Sequence, residues 1–233
     1  SRSLQTVRPL TVWSAMQTPA PFAMEPTLMA LQGALPNLEE GRFPPFPGDG
    51  DRRHAAVSLI LRKGPAMEAL LIQRAEAEGD PWSGHMALPG GRRDFSDPDI
   101  LHTALRETLE ETGVALDRIG IPLGFLDPLM PATRRLPPLS IYPFVFAVPP
   151  ETLARPTSSE VARVFWTPLR EIFSPQAAGT VRIPLEGASR DFPCIRVGGQ
   201  VIWGLTYRIL RDFLRRLEEH APEVLEHPGN LFG

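Results

Sequence analysis

Residues 88–114 read LPGGRRDFSDPDILHTALRETLEETGV, a strand end, a glycine turn and a helix in succession. Asp97 followed by Pro98 predicts the helix start, with Asp97 as N-cap and Pro98 at the first helical position. Gly113 stands where a C-terminal cap belongs. On a wheel of about 100° per residue, Leu101, Ala104, Leu105, Thr108 and Thr112 form one face. Glu107, Glu110 and Glu111 form the opposite one. Their i, i+3 and i, i+4 spacing makes the carboxylates converge within one turn. Arg106, at i−4 from Glu110, can orient a carboxylate there.

Three carboxylates on one turn repel each other, so stability alone disfavours the cluster. A hard divalent cation removes the penalty: Mg²⁺ takes oxygen ligands, keeps several waters and bridges a few carboxylates to substrate phosphates. The turn Pro89–Gly90–Gly91 lets backbone approach a metal or phosphate closely. Taken alone, the glutamates fit a solvated acidic face better. The glycine turn, the capped start and Arg106 favour the cation.

Around this segment, composition narrows the class. The chain has 233 residues, a formal charge of −3, 42% hydrophobic residues, one cysteine, 27 prolines and 19 glycines. That length allows one domain with extensions and a sizeable core. The near-neutral charge gives no electrostatic case for a nucleic-acid binder. Cys194 alone excludes an internal disulfide framework and a cysteine-based zinc site. No apolar run is long enough to span a membrane, so a soluble, cytoplasmic protein is expected.

The prolines also map the elements. They are absent from 99–121 and 194–221, and since proline costs about 3 kcal/mol inside a helix, these windows predict the two long helices. The second covers about Ile202–Glu219, where Leu205, Ile209, Phe213 and Leu217 repeat every four residues. A short helix is expected around Leu28–Leu35, after an irregular arm at 1–20 and before a proline-rich linker at 41–53. HAAVSLILRK and EALLIQRA predict a hairpin about Gly64–Pro65–Ala66. MALPGG, IPLGFLD, SIYPFVFAV and VARVFWTPL read as further strands, as do RIPLEG and CIRVGG.

With these residues in view, the chain resembles the Nudix hydrolase family, whose signature runs from a glycine through a spaced acidic residue to R-E-x-x-E-E-x-G and an apolar residue. Here these are Gly91, Asp97, Arg106–Glu107–Thr108–Leu109–Glu110–Glu111–Thr112–Gly113 and Val114. Asp97 replaces the usual Glu, and one extra residue precedes Arg106. That lengthening is similar to coenzyme A pyrophosphatases, as are Leu70–Leu71–Ile72–Gln73–Arg74, Gly84 and the closing IWGLTYRILRDFL. Ile72 departs from that subgroup's Thr, and Asp80 from its Arg.

The resemblance implies an α/β fold, a Nudix-type α/β/α sandwich with a mixed β-sheet over residues 52–220. A proline-rich extension at 1–51 and a tail at 221–233 would flank it. It also implies Mg²⁺- or Mn²⁺-dependent hydrolysis of a nucleoside diphosphate linked to another moiety, with no nucleic-acid or membrane partner and the possibility of a homodimer. Coenzyme A is the leading substrate. ADP-ribose, dinucleotides or nucleotide sugars are the alternative, and a non-catalytic nucleotide-binding module is the third reading.

Within that mechanism Glu110 and Glu111 are expected as metal ligands with the Gly90 carbonyl. Glu107 is expected as a third ligand or the group that handles the attacking water, and Arg106 as the residue fixing the glutamates. Glu160, in SSEVARVFW, is a second candidate base or ligand. Arg74, Arg92 and Arg93 are candidates for holding phosphates. Trp82, Phe95 and the loop 130–138 with Arg134 and Arg135 could shape a pocket; ordinary packing is the competing reading. His85 could touch phosphate or be structural. His102 is expected in solvent, and Cys194 in the core.

Overall fold

The computed structural model describes residues 22–38, 53–78, 83–131, 138–185, 188–226 and 231. The expected arm, nearly all of the linker, and Asp80, Trp82, Arg134 and Arg135 lie outside them. The strands are β1 (Arg53–Lys63), β2 (Met67–Arg74), β3 (Met86–Ala87), β4 (Gly90–Arg92), β5 (Ile121–Phe125), β6 (Leu139–Val148), β7 (Val161–Pro168), β8 (Ala178–Leu185), β9 (Ala188–Val197) and β10 (Gln200–Trp203). The helices are α1 (Pro26–Ala34), α2 (Ile100–Thr112), α3 (Leu116–Ile119), α4 (Leu169–Ile172), α5 (Gly204–His220) and α6 (Pro222–Glu226).

β1 organises the main sheet. It turns through Gly64–Ala66 into antiparallel β2, runs parallel to β6 from Arg53↔Leu139 to Arg62↔Val148, and pairs antiparallel with β4. β3, β5 and β7 complete a mixed seven-stranded sheet, and β8–β9–β10 form a separate antiparallel one. Strand alternation then divides the core into two layers. Ala56, Ile60, Leu70, Phe144 and Phe146 pack under α2 with Ile100, Leu101, Ala104 and Leu105. Leu59, Leu61, Leu71, Val145 and Ala147 face the opposite way, against Ile209, Phe213 and Leu217 of α5. The result is the expected α/β/α sandwich.

One expectation changes in detail, the start of the long C-terminal helix. α5 starts at Gly204, because Ile202 and Trp203 pair with Ile195 and Cys194 as the end of β10. α1 packs into the core against β5 and α5 through Leu28 and Leu31, with Gln32 Nε2 donating to the Pro122 carbonyl at 3.0 Å. Each such fully buried leucine contributes about 1.5–3 kcal/mol. No helix among the described residues is long and apolar enough to cross a membrane.

Candidate active site

The loop from β4 into α2 places the functional side chains. Asp99, not Asp97, is the N-cap: it is extended, and its carboxylate accepts from the His102 N–H at 2.9 Å and contacts His102 Nδ1. Pro98 therefore precedes the cap instead of following it, and His102 is half-buried rather than solvated. At the other end Gly113 adopts φ 73° and donates to the Leu109 carbonyl, the expected left-handed cap.

Freed from capping, Asp97 is buried and binds Arg106 through both oxygens at 2.9 Å, while accepting from Thr103 Oγ1 and the Asp94 N–H. Burial alone would raise its carboxyl, but these hydrogen bonds hold it below the ordinary value. Arg106 also donates to Glu107 at 2.9 Å, Glu110 at 3.2 Å and the Arg92 carbonyl at 3.1 Å. One guanidinium thus joins the loop to two of the three glutamates. The hydrogen bond to Asp97 is the main reason its own pKa rises.

Each glycine of the turn receives one glutamate. Gly90 donates its N–H to Glu111 Oε2 at 2.9 Å, and a side chain at Gly90 would collide with the Ala56 carbonyl. The Glu107 carboxyl lies where a Cβ on Gly91 would stand, 2.5–2.7 Å from that point. Glu111 does not share an outward face with the other two. It lies about 60° around the helix from buried Thr108 and is itself buried. Burial pushes its carboxyl up to about 8, the Gly90 N–H and Arg74 pulling down while Glu107 and Glu160 push further. Burial likewise raises Glu107, with Arg106 opposing and Glu110 and Glu160 adding to the rise. Glu160, from the loop before β7, therefore stands close enough to act on both α2 carboxyls, and the charge of Arg74, at the end of β2, acts on Glu111.

The profile of the NUDIX domain matches residues 52–185, more than half of the chain. The chain belongs to the Nudix hydrolase family. It is 30% identical to the human mitochondrial coenzyme A diphosphatase NUDT8 over 70% of this chain and 74% of that protein. It is also 30% identical to the Nudix hydrolase NudL of Photorhabdus laumondii, over 75% of this chain and 90% of that one. An uncharacterized Schizosaccharomyces pombe protein is 39% identical over 49% of this chain, which spans only 36% of that protein's length. The solved MutT/nudix family protein of Enterococcus faecalis shares the fold at TM-score 0.53 and 18% identity, over 81% of this chain and 69% of that one. The chain is thus a Nudix hydrolase, an enzyme acting on pyrophosphate bonds, similar to the coenzyme A subgroup.

Among the described residues, no three His, Cys, Asp or Glu already stand as a metal cage. Arg106 spans Glu107 and Glu110, and Gly90 holds Glu111. The residues nonetheless fit a hard cation. The donors are all oxygen, two carboxyls are held above their ordinary range by burial and mutual repulsion, and Glu110 is 55% exposed and so can turn.

The remaining residues separate. The Arg92 side chain is exposed and joins the network through its carbonyl, whereas Arg93 is half-buried and bonds the His54 carbonyl through its N–H. Phe95 is 97% exposed, His85 packs edge-on to Trp203 at 5.1 Å, and Cys194 is buried as expected. Sequence reasoning missed Thr157. Its Oγ1 donates to the Glu110 carbonyl at 2.8 Å and its N–H to the Glu111 carbonyl at 3.2 Å. This pins the loop bearing Glu160 to the end of α2, and no local signal in PTSSE announced it.

Proposed function

We propose that this Nudix enzyme uses Mg²⁺ or Mn²⁺ to hydrolyse the diphosphate of coenzyme A or acyl-coenzyme A, giving 3′-phosphorylated adenosine monophosphate and a phosphopantetheine. The observation that carries the reading is the placement of Glu111 and Glu107 against Gly90 and Gly91, with Arg106 joining Glu107 to Glu110 and the charges of Glu160 and Arg74 acting on the pair. The lengthened motif from Gly90 to Glu111 and the likeness to the human coenzyme A diphosphatase support the substrate.

In this reading Glu110, Glu111 and the Gly90 carbonyl would hold the cation, whose charge would offset that developing on the phosphates. Water attacks one phosphorus, the bond to the bridging oxygen breaks, and the departing phosphate keeps the electron pair. Glu107 or Glu160 orients the water and takes its proton; burial raises the Glu107 carboxyl above the ordinary range, which makes it a stronger base. Arg106 fixes the glutamates, and Arg74, Arg92 and Arg93 supply positive charge for the phosphates.

The alternative substrates, ADP-ribose, dinucleotides or nucleotide sugars, are favoured by Asp80 standing where the coenzyme A subgroup carries a basic residue. Chromatographic detection of the phosphomonoester products formed from coenzyme A, ADP-ribose, NADH and dinucleoside polyphosphates in Mg²⁺ separates the readings. Coenzyme A should give the highest kcat/KM. Preference for another member would move the substrate assignment, and tight nucleotide binding without turnover would favour a binding module.

A further inference from the structure

A row of side chains leads away from the carboxylates across the ends of successive strands. β2 ends at Arg74. On one flank the Ala75 N–H donates to the Glu160 carbonyl at 2.7 Å. On the other the Arg74 N–H donates to the His85 carbonyl at 3.0 Å, continuing the β2–β3 register Gln73↔Met86. Directly paired residues of an antiparallel ladder project to the same face, with Cβ atoms about 4.5–5.5 Å apart. His85 is therefore the cross-strand neighbour of Arg74, whose charge acts on Glu111.

Beyond His85 the row continues into the small sheet. The Trp203 ring meets His85 edge-on with centroids 5.1 Å apart, and Phe192 lies 5.4 Å beyond. Alternation explains why these rings are available. Ile195, Val197 and Ile202 turn into the main core, so Phe192, Cys194 and Trp203 project from the other face. Cys194, paired with Trp203, is buried, while Trp203 and Phe192 keep partial exposure. The order is carboxylates, a cation, an imidazole and two aromatic rings. A nucleoside diphosphate presents the matching order: anionic diphosphate, ribose, then a flat π-surface.

We propose that Trp203, backed by Phe192, is the platform on which the substrate's nucleobase stacks while its diphosphate lies across Arg74 and the α2 glutamates. This rests on the diphosphatase reading above and deepens it, because it assigns the nucleobase end to the small sheet. Stacking tolerates different bases, so the platform favours nucleotides over base-free diphosphates and does not select one base.

The test compares ADP with inorganic pyrophosphate as competitive inhibitors of coenzyme A hydrolysis. Trp203→Leu should raise the inhibition constant of ADP by about tenfold and leave that of pyrophosphate unchanged, while Trp203→Phe retains ADP binding. Equal weakening of both, or no change for ADP, would overturn the proposal. Should the leucine variant not fold, wild-type protein carrying 5-fluorotryptophan decides. The fluorine resonance that Trp203→Phe removes should shift with ADP and not with pyrophosphate; insensitivity to ADP would overturn the proposal. If the wild type turns over no nucleotide diphosphate, the diphosphatase reading fails by itself, and the fluorine experiment still reports whether the base meets Trp203.

Discussion

Helices α2 and α5 cover opposite faces of one sheet with comparable apolar stripes, and they differ in where they put charge. α5 buries Ile209, Leu210, Phe213, Leu214 and Leu217 and leaves Arg215 paired with Asp212 and Glu219 at the surface. Such exposed pairs contribute little, typically under about 0.5 kcal/mol on a helix. α2 buries its own apolar stripe and with it Glu111, and it draws buried Asp97 from the preceding loop onto Arg106. Packing explains all of α5 and only half of α2. The charge that packing does not explain is concentrated at the glycine turn, where the proposed chemistry needs it.

Substitutions should separate the two helices in proportion. Glu111→Gln is expected to lower kcat by about 100-fold or more, equivalent to ~2.7 kcal/mol, with circular dichroism unchanged. Arg215→Ala on α5 should leave both kcat and thermal midpoint nearly untouched. Asp97→Asn removes the buried carboxylate that holds the Arg106 guanidinium and leaves it only the carboxylates of Glu107 and Glu110, and breaking this largely buried pair should cost about 2–4 kcal/mol in urea unfolding. Gly91→Ala places a methyl on the Glu107 carboxyl. It should reduce kcat about tenfold by displacing that group while perturbing stability less than Asp97→Asn.

The helices should also differ in pH response. Glu111 has a carboxyl pKa raised by burial from the ordinary range to about 8, so the metal-free folded state binds its proton more tightly than the unfolded chain. Folding stability should then fall as pH rises from about 4.5 through 8, and Glu111→Gln should flatten that slope. Asp97 has the opposite sign. Its pKa is held below the ordinary value, so its contribution is present above about pH 4 and is lost as pH falls through the folded value. Thermal melts of metal-free wild type and both variants across pH 3–9 read both slopes, and charge changes on α5 should alter neither.

Much of this architecture was legible in the sequence. The proline-free windows located α2 and α5, alternation in 54–63 and 67–74 marked the hairpin, and the i+3 and i+4 glutamates marked the candidate site. What failed was local arbitration. DPD offered two aspartates around Pro98, and the preference for proline at the first helical position chose Asp97 as cap, whereas Asp97 has a stronger partner nine residues on in Arg106. The wheel set Glu111 with its neighbours because it is charged, although its angle lies beside Thr108. Thr157 and the row from Arg74 to Phe192 depend on contacts between distant segments, which periodicity does not encode.

The most direct test of the α2 cluster as a cation site is calorimetric titration of Mn²⁺ into wild-type protein and the Glu110→Gln/Glu111→Gln variant at pH 8. The wild type should bind Mn²⁺, and the variant should bind it at least about 100-fold more weakly while retaining the wild-type circular dichroism. Equal affinity in the two proteins would contradict the account and return α2 to the same class as α5.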